Sequence, residues 1–151
     1  MGVTTASDVA DFILEKSTKE ISNLKLQKLL YYCQAWHLAL YDRPLFADSI
    51  EAWLHGPVVP SIYRQFKKFG WQPIKRTGHP CAQLDDNAQA HVGEILKLYG
   101  DFNAVALEQM THEENPWAEA RASLSPDANP SKEIPHTSMN MYFKQVLHGA
   151  A

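Results

Sequence analysis

Hydrophobic positions recur at helical spacing through most of the chain. Val9, Phe12 and Ile13 fall at i, i+3 and i+4 behind Thr5 or Ser7 as a cap, with Asp8 and Asp11 near the positive end of the helix. A second helix is predicted over about 23–41, capped by Ser22 or Asn23 and ended by Arg43-Pro44. Along it Leu26, Leu29, Cys33, Trp36 and Leu40 form one apolar face, and Tyr31, Tyr32, Ala35, Leu38 and Ala39 form another. Gln27, Gln34, His37 and Tyr41 make a narrow polar seam between the two. A helix apolar on two faces packs on two sides, so this one is expected at the centre of the fold.

The pattern then changes period. Ile50, Ala52 and Leu54 alternate with Glu51, Trp53 and His55 between Pro44 and Gly56-Pro57, which suits a short strand or an extended arm. Pro60 fits the first position of a third helix, about 60–69, with Ile62, Phe66 and Phe69 on one face and Gly70 as its stop. Residues 71–84 read as extended chain and loop; if 50–55 is a strand, its partner lies near 73–77. Helical patterns resume over about 86–99 (Val92, Ile95, Leu96, Tyr99), 103–112 (Ala106, Leu107, Met110), 115–123 behind Asn115-Pro116, and 135–147 (Met139, Tyr142, Phe143, Val146), with a loop over 124–133. The expected architecture is mainly α: one compact domain over 7–147, six to seven helices around the helix at 23–41, a small two-stranded β element near 50–55 and 73–77, and short tails at 1–6 and 148–151.

Composition agrees with that reading. A chain of 151 residues, 45% hydrophobic and 21% charged, is long enough to bury a core without staples. No apolar run approaches the roughly 18 residues of a membrane span, the N-terminal stretch does not read as a signal peptide, and Ala6 stands where a myristoylation motif wants Ser or Thr. Cys33 and Cys81 make no disulfide framework, so two reduced thiols in a cytoplasmic protein are expected.

Charge is unevenly spread. Residues 52–84 carry five bases (Arg64, Lys67, Lys68, Lys75, Arg76) and no acid, whereas residues 85–133 carry ten acids against three bases. The positive segment also holds Trp53, Tyr63, Phe66, Phe69 and Trp71, a mixture that could attract nucleic acid. Phe66 and Phe69 are needed to pack a helix, however, and five bases on a chain of net charge −3 make a weak footprint. An acidic protein partner, or an intramolecular match to 85–133, is the better expectation.

Chemistry is sparse. His112, Glu113 and Glu114 could do acid–base work, but a histidine packed at a helix-to-helix turn explains the group as well. His79 and Cys81, with His91 farther on, lack a second zinc-spaced pair, so neither metal nor cofactor is expected. His55-Gly56-Pro57-Val58-Val59-Pro60 is a stiff turn, either a connector into the third helix or a preorganised protrusion. As a protrusion it makes Trp53, His55, Pro57, Tyr63, Arg64 and Lys67 the candidate partner-binding residues.

Several motifs recur together in one order. They are Leu24-Lys25-Leu26-Gln27-Lys28-Leu29-Leu30-Tyr31-Tyr32, Trp36-His37-Leu38, Pro44-Leu45-Phe46, Glu51-Ala52-Trp53 and Gly56-Pro57-Val58-Val59-Pro60 with Tyr63. Thr111-His112, Pro116-Trp117 and Arg121 follow, then Ile134 and Tyr142-Phe143. The set resembles the signature of the Panacea antitoxin domain over about 7–147, departing from it only in the loop 72–84. The resemblance implies a helix-rich domain of bacteria and phages that acts as the antitoxin of a toxin–antitoxin pair. It also implies a protein toxin as partner, bound by direct contact, with some members serving as adaptors that deliver the toxin to a protease, and no catalytic residues. Gln27, Lys28, Tyr31, Trp36, His37, Gly56, His112, Trp117 and Arg121 belong to the signature and are expected to be structural. Nucleic acid and membrane are not expected as partners, and a homo-oligomer is compatible with the sequence.

Overall fold

The computed structural model describes residues 4–75, 84–122 and 132–149. Seven helices appear among them: α1 (Ala6–Lys16), α2 (Asn23–Tyr41), α3 (Pro60–Phe66), α4 (Asp86–Tyr99), α5 (Ala104–His112), α6 (Asn115–Ala122) and α7 (His136–Leu147). Three short strands, β1 (Glu51–Trp53), β2 (Gly56–Val58) and β3 (Lys132–Glu133), complete the fold.

Local chemistry sets the helix ends. Thr5 caps α1 through a reciprocal pair with Asp8, whose N–H donates to the Thr5 hydroxyl at 3.1 Å. Ser22, Asp85 and Asn103 cap α2, α4 and α5 in the same manner, each accepting from an N–H in the first turn. The third helix is α-helical only to Phe66; Lys67–Phe69 tighten into a single 3-10 turn before Gly70, whose φ of 57° reverses the chain.

The centre of the molecule is α2, as its two-faced pattern predicts. Fifteen of its residues are buried, including Asn23, Lys25, Gln27, Lys28 and Gln34. It packs against α1, α4, α5 and most extensively α7. Leu40 departs from the pattern: it sits in the last turn of α2 and is 44% exposed. Tyr31, Tyr32, Trp36 and Phe143 meet edge to face across the α2–α7 contact, and Tyr32 stacks flat on Tyr99 at 3.9 Å.

Gln27, Gln34 and His37 of the polar seam are buried too, whereas Tyr41 is exposed, and with Lys28 the buried three hold the irregular chain between α2 and α3. Gln34 donates to the Phe46 carbonyl at 2.7 Å and accepts from the Leu45 N–H at 2.7 Å. His37 Nδ1 lies 2.7 Å from the Arg43 carbonyl. Gln27 accepts from the Val59 N–H at 2.9 Å, and the Lys28 ammonium donates to the Pro57 carbonyl at 3.1 Å. Buried side chains with both donors and acceptors are therefore spent on a segment that has no helix to satisfy its backbone.

One expectation needs correction. The strand at 51–53 exists, but its partner is not 73–77. β1 lies at the middle of an antiparallel sheet of order β2-β1-β3, pairing Ala52 with Pro57 on one side and with Lys132 on the other. Pro57 is tolerated because β2 is an edge strand, where a missing donor costs no ladder bond. Pro73 instead forms an isolated bridge with Ser22, and the Ile74 N–H donates to the Ile21 carbonyl at 2.8 Å. Residues 76 and 77 lie outside the described residues, as do His79 and Cys81. Among the described residues no helix is long and apolar enough to cross a membrane.

Candidate functional site

The hairpin β1–β2 is fastened from two sides. On one side, two consecutive carbonyls of its first arm receive side chains from α6. Arg121 donates to Ala52 at 3.1 Å and Trp117 Nε1 to Trp53 at 2.8 Å, while the His112 Nε2 beside them is buried without a hydrogen-bond partner. His112 also stacks on Trp117 with ring centroids 4.0 Å apart. Trp117 and Arg121 are one turn apart on α6, so both reach the same strand.

On the other side lies Lys28. Its side chain is wholly buried, and burial pushes its pKa down to about 7, partly offset by the nearby Glu108 carboxylate. Gly56 sits directly over it with φ 111°, and a Cβ there would lie 2.6 Å from Lys28 Cε and 3.0 Å from the Thr111 hydroxyl. Glycine is required both by the conformation and by the closeness of the lysine. The signature residues Lys28, Gly56, His112, Trp117 and Arg121 thus converge on one task, holding the hairpin against α2, α5 and α6.

What the hairpin presents outward is its tip. Leu54 is 50% exposed, and the exposed His55 imidazole lies 3.2 Å from Glu108 Oε2. Beside it opens a cleft of about 370 Å³ between the start of α2, the hairpin and the end of α3. Its walls include Leu24, Trp53, Val58, Tyr63, Lys67 and Trp71. Trp53 and Tyr63 pack edge to face at 5.0 Å, and Trp53 Nε1 donates to Glu51 at 2.8 Å. Trp71 stands on the lip with 81% of its surface exposed.

Of the six residues expected to bind a partner, Trp53, His55, Tyr63 and Lys67 line this one cleft. Arg64 is exposed on α3. Pro57 is buried in β2 with its carbonyl under Lys28, so its ring is not part of the surface. Trp71 was missed because a lone tryptophan in a Gly- and Pro-bounded stretch has no periodicity to say whether it faces in or out.

The remaining candidates are dispersed. His112, Glu113 and Glu114 are neighbours in sequence but diverge in space: His112 faces the hairpin, Glu113 is exposed, and Glu114 turns toward α2. There it accepts from the Tyr31 and Tyr32 hydroxyls at 3.1 and 2.9 Å, and burial raises its pKa to about 7. His91 is a core histidine whose Nε2 lies 2.8 Å from the Cys33 carbonyl. Among the described residues no group of three or more His, Cys, Asp or Glu side chains could hold a metal ion. Cys33 is wholly buried, and burial pushes its thiol pKa well up. Trp36 donates to the Tyr99 hydroxyl at 2.9 Å, which places it as a brace between α2 and α4.

Comparison with known proteins agrees with the motif set. The profile of the family described as "Antitoxin SocA-like, Panacea domain" matches residues 26–118. That span contains the polar seam of α2, the whole hairpin and most of its fastenings. A curated relative, Antitoxin SocA of Caulobacter vibrioides, is 44% identical over 68 residues, covering 43% of this chain. The match spans 36% of that relative's length. No solved structure matches the chain significantly. The chain therefore belongs to the Panacea-domain family of SocA-like antitoxins.

Proposed function

We propose that this protein is an antitoxin that neutralises a cognate protein toxin by direct contact, using the face formed by the hairpin tip and the adjoining cleft. Membership of the antitoxin family over 26–118 is the observation that carries the reading. The site's construction supports it. Near the hairpin Lys28, Trp117 and Arg121 are engaged in holding backbone, and the surface left over is an aromatic-lined concavity. Rigid surfaces bind well because little order is lost on association, and Trp, Tyr and Arg are the side chains that most often dominate interface energies.

The test is co-expression with the product of the adjacent gene. A toxin whose growth arrest is relieved by this protein, and which co-purifies with it, is the expected outcome. A Trp53→Ala, Tyr63→Ala, Lys67→Glu triple variant that remains folded should lose both effects. Failure of the intact protein to relieve arrest or form a complex with any adjacent gene product would falsify the reading.

A further inference from the structure

We propose that the cleft and its rim receive an acidic, apolar-anchored segment of the partner protein: Trp71 and Leu54 grip its apolar side chains, and Arg64, Lys67, Lys68 and Lys75 face its carboxylates. This deepens the antitoxin reading and rests on it for the partner's identity as a toxin, though not for the chemistry of the segment.

Charge carries the argument first. Among the described residues of 52–75 there is no acid, and Arg64, Lys67, Lys68 and Lys75 are all exposed. The acidic stretch after them does not neutralise them. The ion pairs among the described residues are His55–Glu108, Lys97–Glu94 and Lys144–Asp42, so none of these four bases is paired with a carboxylate. Of the two expectations the sequence left open, an intramolecular match is made among the described residues at His55 alone, and Arg64, Lys67, Lys68 and Lys75 are turned outward. A second, wider cleft of about 730 Å³ lies on the other side of the 67–71 segment and takes Lys19, Lys68 and Lys75 into its lining, with Glu20 its one acid. Positive charge therefore flanks the apolar cleft on that side.

Shape decides the class of occupant. Trp71 and Leu54 line the 370 Å³ cleft yet keep 81% and 50% of their surfaces exposed, so a small molecule seated between them would leave much of both in water. A protein segment covers both, which is the usual fate of a contiguous apolar patch rimmed by charge. Nucleic acid fits less well. Four exposed bases make a small phosphate footprint, and a chain of net charge −3 repels a polyanion elsewhere on its surface.

The experiment titrates the full-length protein, by intrinsic tryptophan fluorescence and calorimetry, with short synthetic probes. One peptide alternates Glu with Leu and Phe; a second replaces every Glu by Lys; a third replaces every Leu and Phe by Ala; the fourth probe is an oligothymidylate. The first peptide is expected to bind at least about tenfold more tightly than the others, to weaken as salt is raised, and to lose about tenfold on Trp71→Ala. Trp71 is exposed, so that variant should keep the parent's melting temperature, and Lys67→Glu with Lys68→Glu should remove the salt dependence. Equal binding by the inverted peptide or the oligothymidylate overturns the proposal, as does indifference to Trp71→Ala. So does self-association that Trp71→Ala abolishes, which would make a second copy the occupant. If peptide binding behaves as expected but no toxin is neutralised, the antitoxin reading fails and the docking chemistry stands; the converse result removes only the docking chemistry.

Discussion

Lys28 and Glu114 both titrate near neutral pH in the folded chain, because burial works against the charged form of each. Their effects on stability run in opposite directions. The Lys28 pKa falls from 10.5 to about 7, so between those values the unfolded chain holds the proton more firmly and stability rises with pH. The Glu114 pKa rises from 4.5 to about 7, so between those values the folded chain holds the proton more firmly and stability falls as pH rises. Urea midpoints at stepped pH, read as variant minus parent, should show Lys28→Met losing the alkaline rise and Glu114→Gln losing the acid-side decline. Each difference should reach on the order of 3 kcal/mol across its window; parallel profiles for parent and variant would refute the assignment. Gly56 makes a sharper case. At φ 111° over Lys28, Gly56→Ala is strained twice, and should cost about 1–3 kcal/mol with a fall of several degrees in melting temperature. An unchanged melt would mean that the lysine is free to move aside.

At the scale of elements, the seven helices were legible because each combines an apolar stripe of the right period with a cap or stop on its boundary. The observed limits of α2, Asn23–Tyr41, and α4, Asp86–Tyr99, coincide with what Ser22, Asp85 and Gly100 announce. The sheet was not legible in the same way. Its strands are two or three residues long, β2 is Gly-Pro-Val, and β3 lies more than 70 residues beyond it, so pairing is decided by tertiary packing and not by local pattern. The polar seam of α2 was readable as a seam, but its partners were not, since nothing local to Gln27 or Gln34 specifies Val59 or Phe46. A consequence can be measured on the hairpin's fastenings. Trp117→Phe removes the donor to the Trp53 carbonyl, and Arg121→Met removes the donor to Ala52; each should cost about 1–3 kcal/mol. Amide exchange in 51–58 should speed up well beyond the exchange in α7. Uniform loss of protection across the molecule would show that hairpin and helices open only together.

For the molecule as a whole, charge segregation was visible in the sequence, and four of the six expected binding residues do gather at one cleft. What the sequence withheld was exposure: it could not say that Pro57 is covered, that Trp71 is open, or that His112 and Glu114 face apart. The exposed bases give a separable prediction. Arg64→Glu with Lys67→Glu breaks no ion pair among the described residues, so stability should stay within about 0.5 kcal/mol of the parent. Association with an acidic partner should slow instead, most at low salt, since charges at a rim act chiefly on the encounter. A large loss of stability would place those side chains in the fold and not at an interface.

The double fastening of the hairpin also sets an order in time. Its two arms are synthesised by residue 58 and Lys28 is already there to hold the Pro57 carbonyl, yet the side chains that hold the carbonyls of the first arm come from residues 117 and 121, and its outer neighbour strand from 132–133. A ribosome halfway through the message has made the residues of the cleft with only part of the means to shape them. The grip is therefore among the last features to form, although the amino acids that compose it are among the first to emerge. A stalled or clipped product ending before α6 should lack a shaped hairpin, so a partner docking at the cleft as proposed should be bound only by chains synthesised past the fastening residues.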